Sequence, residues 1–160
     1  MSSSLGAPEP LGVTLEAEGA NIAVYSANAS AIEFCLFDAK GETEAARLAL
    51  PGRTGAVFHG YIAGLKAGAR YGLRAYGEFA PERGRRFDSS KLLADPYAYA
   101  LDRPFKLDKT MFERGADSGG AAPKAVVGAN PPGGEPGGAR ISWAQTVIYE
   151  VNLRGFTRLH

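Results

Sequence analysis

The side chain best suited to covalent chemistry in this sequence is the thiol of Cys35, its only cysteine. A nucleophilic cysteine needs a neighbouring base, and neither His59 nor His160 lies in a context typical of a cysteine protease. Cys35 sits inside the apolar run 32–37, where free cysteines are usually buried packing residues. We therefore expect a structural thiol, no disulfide, no metal site and no cofactor.

A second chemical feature is the basic cluster of Arg83, Arg85 and Arg86, which could contact a ligand. Ion pairs with Glu78 and Glu82, or a solvated charged face, are the favoured interpretation of this cluster. The whole chain has 18 basic and 17 acidic residues, and its net charge is +1. Nucleic-acid and anionic-membrane surfaces need a dominant basic patch, so neither kind of partner is expected.

The elements that must position these residues are short strands. Runs with alternating apolar residues are separated by turn residues at a spacing of roughly 8–12 residues. This spacing predicts an antiparallel β-sandwich, and no helical period extends over a comparable window. The predicted strands are 13–17, 21–27, 31–38, 45–50, 56–62 and 70–76.

Composition divides the chain into segments. Residues 1–10 are small, polar and proline-containing, so a flexible arm is expected there. Residues 11–101 are assigned to the sandwich. Residues 102–145 are assigned to a linker rich in glycine and proline, in which 122–127 is a small apolar anchor. The start of the sequence is unlike a signal peptide, and no apolar run approaches the ~18 residues of a membrane span, so a cytoplasmic protein is expected.

The remaining segment, 146–160, begins with the strongest single strand signal. Residues 146–151 (TVIYEV) are β-branched, aromatic and almost continuously apolar. Such strands are typical of parallel sheets that are buried on both faces. A parallel partner strand needs a crossover of about a dozen residues or more, and the sequence ends at residue 160. We therefore expect the chain to stop inside a second domain.

Several blocks of this sequence follow one another in a recognisable order. The longest is 81–98 (PERGRRFDSSKLLADPYA), and the others are 10–14, 19–29, 33–38, 59–61, 68–77, 123–127 and 146–157. Together they resemble the opening of bacterial glycogen debranching enzymes of the glycogen-operon and isoamylase type. The resemblance covers residues 10–157. It implies an all-β fold: an immunoglobulin-like antiparallel β-sandwich of carbohydrate-binding module family 48, a Gly/Pro-rich extension, and the first strand of a truncated (β/α)8 barrel of glycoside hydrolase family 13.

The resemblance also implies that catalysis occurs elsewhere. In the family an aspartate nucleophile, a glutamate acid/base and a further aspartate lie on later barrel strands, beyond residue 160, so no catalytic residue is assigned here. The block 84–88 (GRRFD) matches the spacing around the family's nucleophile but precedes the barrel. Asp88 is therefore interpreted as a cap or turn carboxylate before Lys91–Ala94.

The partners implied by the resemblance are an α-glucan such as glycogen and the missing catalytic barrel in cis. Sugar-binding surfaces present aromatic rings beside polar groups. The candidates are His59, Tyr61, Tyr76 and Phe79, with Arg74 as a polar neighbour. For each ring, packing in the sandwich core or at a domain interface is the alternative. Tyr71 and Tyr76 should lie on opposite faces of one strand, so at most one of them is a core residue.

The last candidates belong to the barrel strand. Arg154, Phe156 and Thr157 would lie at its C-terminal end, which faces the active site in such barrels, so the resemblance implies a supporting role. Trp143, the only tryptophan, is near this strand and outside the sandwich, whereas family 48 modules that bind glycan tightly look tryptophan-dependent. Three functions remain open: a non-catalytic N-terminal module of a debranching α-1,6-glucosidase, a free-standing glucan-binding module, and an immunoglobulin-like protein-interaction domain. The strand signal at 146–151 favours the first.

Overall fold

The computed structural model describes residues 1–128, 141–156 and 158, and the chain divides into two compact units, Met1–Asn130 and Pro131–His160. The first unit is built from strands. They are β1 (Ser3–Ser4), β2 (Gly12–Glu16), β3 (Gly19–Tyr25), β4 (Ala31–Phe37), β5 (Glu44–Ala49), β6 (Gly52–Thr54), β7 (Val57–Ala63), β8 (Arg70–Tyr76), β9 (Phe79–Ala80), β10 (Arg85–Arg86), β11 (Ala100–Leu101) and β12 (Ala125–Val126). Short 3-10 turns occur at Pro81–Arg83 and Lys109–Met111.

Two five-stranded antiparallel sheets form the body of this unit. The first has the order β1-β7-β3-β2, with β6 also paired to β7, and the second has the order β11-β12-β8-β4-β5. Strands β9 and β10 form a separate antiparallel pair. The all-β antiparallel fold expected from the spacing of the strand signals is thus confirmed.

The core lies between the two sheets because alternate side chains of each strand point inward. Ile22 and Ile62 from the first sheet pack with Ile32, Phe34 and Tyr71 from the second. The Phe34 and Tyr71 rings are stacked, with centroids 4.9 Å apart. Tyr71 is therefore the core tyrosine of β8, and Tyr76 lies on the opposite face of that strand, as the alternation predicts.

A second, smaller core covers the outer face of the second sheet. Cys35 and Phe37 of β4 pack there against Leu92 and Ala122, with Met111 at the edge. These last three side chains belong to residues 89–122, which we call the covering segment. Part of the predicted linker is therefore packed onto the sandwich, and the anchor expected at 122–127 contributes Ala122 and strand β12.

The first residues of the chain also join the sandwich. Ser3 and Ser4 form β1 and pair with Ile62 and Tyr61 of β7. The side chain of Asn21 accepts a hydrogen bond from the Ala7 backbone nitrogen at 2.7 Å and donates one to the Ala7 carbonyl at 3.0 Å. Part of the predicted arm is thus held against the first sheet, because its backbone groups find partners there.

The second unit contains a 3-10 turn, Trp143–Gln145, and a four-residue helix, α1 (Leu153–Phe156). The strand predicted for 146–151 is not formed in the described structure, and the side chains of Val147, Ile148 and Tyr149 are exposed. A strand is stabilised by hydrogen bonds to neighbouring strands, and no described strand pairs with this segment. None of the described helices is long and apolar enough to cross a membrane.

The covering segment approaches the second sheet closely at Gly72. A Cβ atom at this position would lie 2.7 Å from Cδ1 of Leu92. Gly72→Ala is therefore expected to lower the free energy of unfolding by about 1–3 kcal/mol, since Leu92 or the strand must shift. Gly120→Ala is the matched control, because a Cβ there meets nothing within 4 Å, and it should change stability by less than about 0.5 kcal/mol. Urea denaturation measures both, and equal stabilities would contradict this packing.

Candidate functional site

Two of the predicted sugar-binding residues, His59 and Tyr61, lie on the outer face of the first sheet. His59 is buried, and its Nε2 is 2.9 Å from Oγ1 of Thr54. Its ring covers Gly52 so closely that a Cβ there would come within 2.3 Å of it. Tyr61 is half-buried beside β1. The ring of His59 therefore packs against the neighbouring strand β6. The structure does not bring His59 and Tyr61 together with the candidates from β8 and β9.

Arg74, the predicted polar neighbour, is a buried side chain with 1 % exposure. Its Nη1 donates hydrogen bonds to the carbonyl oxygens of Ser89 at 3.1 Å and Ser90 at 2.7 Å. Its Nη2 donates to Oε2 of Glu44 at 2.9 Å and to Oδ1 of Asp117 at 2.8 Å. Buried arginines are tolerated when they are paired in this way. Arg74 thus fastens the covering segment to the sheet and is not exposed to a ligand.

The ion pairs of Arg74 continue along the outer face of the sheet towards Tyr76. Arg47 donates a hydrogen bond to Glu44 at 2.6 Å, and its Nε lies 3.7 Å from Oε2 of Glu33. The hydroxyl of Tyr76 donates to the same Glu33 oxygen at 2.6 Å. Burial alone would raise the pKa of Glu44, but hydrogen bonds from Arg47 and Arg74 outweigh burial and lower that pKa. The Tyr76 ring is therefore oriented by a charged network.

The surface next to Tyr76 forms a cleft of about 310 Å³, which we call the Tyr76 cleft. It is lined by Tyr76, Gly77, Phe87, Asp88, Ser89, Arg114 and Gly115. The guanidinium of Arg114 lies 3.9 Å above the ring centroid of Phe79, a cation–π geometry. Phe79 is 40 % exposed. Arg114 thus lines the cleft beside Tyr76 and also contacts the ring of Phe79, which is not itself a lining residue.

A second cleft of about 320 Å³ adjoins the first and shares Phe87 and Asp88 with it. Its further lining residues include Asn28, Arg85 and Arg86. Two clefts that combine aromatic rings with amide and guanidinium donors match the chemistry of sugar recognition, in which rings contact C–H groups and polar groups bind hydroxyls.

The basic cluster beside these clefts is mostly neutralised. Glu78 accepts hydrogen bonds from Arg83 and, at 2.8 Å, from Arg85, and Arg83 also lies 3.5 Å from Glu82. These are the ion pairs favoured by the sequence. Within the described part of the chain, Arg86 has no ion pair, so its guanidinium is available to a ligand in the second cleft.

Asp88 has the turn role that its position in the sequence indicates. Its Oδ1 accepts hydrogen bonds from the Ser90 backbone nitrogen at 3.0 Å and hydroxyl at 2.6 Å, and its Oδ2 accepts one from the Gly115 nitrogen at 2.9 Å. Residues 91–94 do not form a helix. Asp88 therefore fixes the floor shared by the two clefts.

Other reactive groups are placed as structural residues. The thiol of Cys35 is fully buried, and this burial raises its pKa to about 12, so it stays protonated and unreactive. Among the described residues, no cluster of histidine, cysteine, aspartate or glutamate could hold a metal ion. Arg154 and Phe156 belong to α1 in the second unit, and Thr157 lies outside the described residues.

Arg114 is the cleft residue that the sequence analysis missed. It lies within the segment assigned to the linker, next to Gly115. Nothing in the local pattern places an arginine of this kind near Phe79, since the two residues are 35 positions apart (114 − 79). The contact exists only because the covering segment returns to the sheet.

Arg74→Met is expected to lower the free energy of unfolding by about 3 kcal/mol, because two carbonyls and two carboxylates lose their donor. Arg53→Met is the control, since Arg53 is exposed, its guanidinium lies 4.8 Å from the centroid of the Phe58 ring, and its Nε donates a hydrogen bond to the Gly55 carbonyl at 3.2 Å. It should cost less than about 1 kcal/mol. Urea denaturation measures both. An Arg74 variant with full stability and impaired sugar binding would place Arg74 among the ligand-contacting residues.

Asp88 makes stability depend on pH in the acid range. Burial would raise the pKa of its carboxyl, but hydrogen bonds from Ser90 and Gly115 and the charge of Lys91 outweigh burial and lower that pKa from 3.8 to about 2. The stabilisation is complete above the unfolded pKa and is lost as pH falls through the folded one. The stability difference between the wild-type chain and Asp88→Asn should therefore shrink between about pH 5 and pH 2. Urea denaturation at each pH measures it, and a constant difference would contradict the assignment.

Comparison with known proteins identifies the family. Residues 10–98 match carbohydrate-binding module 48 (isoamylase N-terminal domain). The glycogen debranching enzyme of Salmonella typhi is 40 % identical over 164 residues, which cover 98 % of this chain and 25 % of that protein. The enzyme of Salmonella heidelberg has the same identity, over 98 % of this chain and 24 % of its own length. The chain thus spans about a quarter of the length of these relatives.

Solved structures show the same fold at lower identity. The catalytic module of the pneumococcal glycogen-degrading virulence factor SpuA, in complex with an inhibitor, is 17 % identical with a TM-score of 0.55, covering 77 % of this chain and 17 % of its own. The pullulanase SAP of Group B Streptococcus, in complex with maltotetraose, is 19 % identical with a TM-score of 0.51, covering 76 % and 14 %. With the sandwich in place and residues 10–98 matched, the chain belongs to carbohydrate-binding module family 48.

Proposed function

We propose that this chain is the non-catalytic N-terminal module of a glycogen debranching enzyme that hydrolyses α-1,6 branch bonds, and that it binds α-glucan at the Tyr76 cleft. A cytoplasmic location, predicted from the sequence, is part of this proposal. Support comes from the 40 % identity to the Salmonella typhi enzyme over nearly the whole chain. The observation that carries the binding site is the joint surface of Tyr76, Phe79 and Arg114.

The proposed contacts follow from the chemistry of glucose units. The apolar C–H groups of a sugar pack against aromatic rings, and the Phe79 ring, one face of which is covered by Arg114, is 40 % exposed at the surface. Arg114 holds this ring and leaves guanidinium N–H groups for hydroxyls. Each of the two clefts reaches the lower end of the range for ligand pockets, about 300–1,000 Å³, so together they suit a short stretch of glucan.

The proposed site revises the set of binding residues expected from the sequence. Tyr76 and Phe79 are retained, and Arg114 and Arg86 are added because they line the two clefts or contact the exposed ring. Asp88 is not added as a sugar ligand, since both of its carboxylate oxygens already accept hydrogen bonds that hold the turn. The proposed site does not include His59 and Arg74, which are buried, or Tyr61, which is half-buried beside β1.

The catalytic part of the protein is proposed to lie in cis, in the portion of the relatives that this chain does not cover. The segment 146–151 would then become the first barrel strand, with Arg154, Phe156 and Thr157 at its active-site end. The exposure of Val147, Ile148 and Tyr149 supports this proposal over a free-standing module, because apolar side chains at 146–151 gain burial when strand neighbours are present.

Phe79→Ala is expected to weaken the binding of maltoheptaose roughly two- to tenfold, since an aromatic contact contributes about 0.5–1.5 kcal/mol and 1.4 kcal/mol is tenfold in affinity. Tyr25→Ala is the control, because Tyr25 is an exposed ring of the first sheet that lines neither of the two clefts. Its affinity should equal that of the wild-type chain. Titration calorimetry or NMR chemical shifts measure both. Equal losses in the two variants, or no saturable binding at millimolar ligand, would contradict the proposed site.

A further inference from the structure

An apolar groove of about 390 Å³ lies on the covering segment and shares Lys91 and Leu93 with the second of the two clefts. Its lining includes Leu93, Leu101, Phe105, Met111 and Pro123. Leu93 is 46 %, Leu101 49 % and Phe105 64 % exposed to solvent. Contiguous exposed apolar surface of this kind marks an interaction site. We call it the Leu101 groove.

The groove is supported by backbone hydrogen bonds and is not a loose loop surface. Leu93 exchanges two hydrogen bonds of 2.8 Å with Leu73 of β8. Leu101 lies in β11, which pairs with Ala125 of β12, and β12 pairs in turn with Tyr71 of β8. The exposed leucines are therefore held in fixed positions by the second sheet, and burying them against a partner costs little conformational entropy.

The polar groups that line the groove are already occupied. Nζ of Lys91 donates hydrogen bonds to the carbonyls of Thr110, Glu113 and Ala116 at 2.5–2.8 Å. Oγ of Ser118 accepts one from the Leu92 nitrogen at 2.9 Å. A glucan in this groove would lose hydrogen bonds to water without replacement, which is costly. The groove suits an apolar protein surface.

We infer that the Leu101 groove is the surface against which the rest of a longer polypeptide packs, by burying apolar side chains between Leu93, Leu101 and Phe105. The inference rests on the proposed function, since it names the docking surface for the domain proposed in cis. The Salmonella typhi relative has about three quarters of its length beyond the part covered by this chain. Interfaces between domains of one chain bury about 600–1,500 Å². An interface of that area with an adjoining domain suffices to cover the groove.

The test uses a chimera in which the 160-residue chain replaces the aligned quarter of the Salmonella typhi enzyme. Hydrogen exchange of the backbone amides of residues 92–94 and 101 is compared between the chimera and the 160-residue chain. We expect exchange at least tenfold slower in the chimera. Leu101→Ser and Phe105→Ser should each remove most of this added protection. Phe112→Ser is the matched control, because Phe112 is 72 % exposed and does not line the groove, and it should keep the protection.

Folding defects are separated from interface defects by the isolated chain. Each serine variant of the 160-residue chain should unfold within about 3 °C of the unsubstituted chain, since the replaced side chains are exposed. Equal exchange in chimera and isolated chain would overturn the inference. A dimer of the isolated chain that Phe105→Ser dissociates would overturn it by assigning another occupant. Protection of the residue 101 amide by maltoheptaose alone would do the same, since Leu101 lines neither of the two clefts.

The amide of residue 101 separates this outcome from the proposed sugar site, because Leu101 lines neither of the two clefts. Maltoheptaose titration of the same chimera tests that site, and Phe79→Ala should leave the groove protection unchanged. Slow exchange at the groove without glucan binding would remove the sugar site and keep the docking surface. Glucan binding with unprotected groove amides would do the reverse.

Discussion

The buried guanidinium of Arg74 requires acceptors that its own sheet supplies only in part. Glu44 of β5 is one, and the other acceptors are Asp117 and the carbonyls of Ser89 and Ser90. An unpaired buried charge is very unfavourable, so the segment that brings these acceptors must fold back over the sheet. Both clefts and the Leu101 groove are built on residues that this return puts in place.

One segment thus presents two surfaces of different chemistry. At the Tyr76 cleft the guanidinium of Arg114 still offers donors towards solvent, beside an exposed ring. At the Leu101 groove Lys91 and Ser118 are already satisfied by the backbone, and what remains is apolar. The two surfaces differ mainly in whether their polar groups are still free to form hydrogen bonds, and less in the size of the cavity. Free donors and acceptors suit a sugar, and an apolar surface without them suits a protein partner.

Local patterns predicted the strands well because the alternation of apolar residues is itself a local property, as in β4 and β8. The covering segment could not be predicted in this way. Its attachment depends on the contact between Arg74 and Asp117, which are 43 positions apart in the chain. An arginine within a strand pattern indicates an exposed side chain, so the burial of Arg74 could not be predicted either. The contact between Arg114 and Phe79 could not be predicted for the same reason, since the two residues are also distant in the sequence. The strand signal at 146–151 indicates what the segment can form with neighbours, and no described strand supplies them.

A sugar site without tryptophan needs a physical explanation if it is to serve a debranching enzyme. The exposed ring of Phe79 with the guanidinium of Arg114 above it predicts modest affinity, since each such contact contributes only about 1 kcal/mol. Modest affinity is sufficient when the module is joined to a catalytic domain, because linkage raises the local concentration of glucan without any new contact. That gain requires a geometry in which the module and the active site can engage one glucan at the same time. In the proposed arrangement, the Leu101 groove would hold the module against the catalytic domain, and the two clefts on the same segment would then keep a constant position relative to the active site.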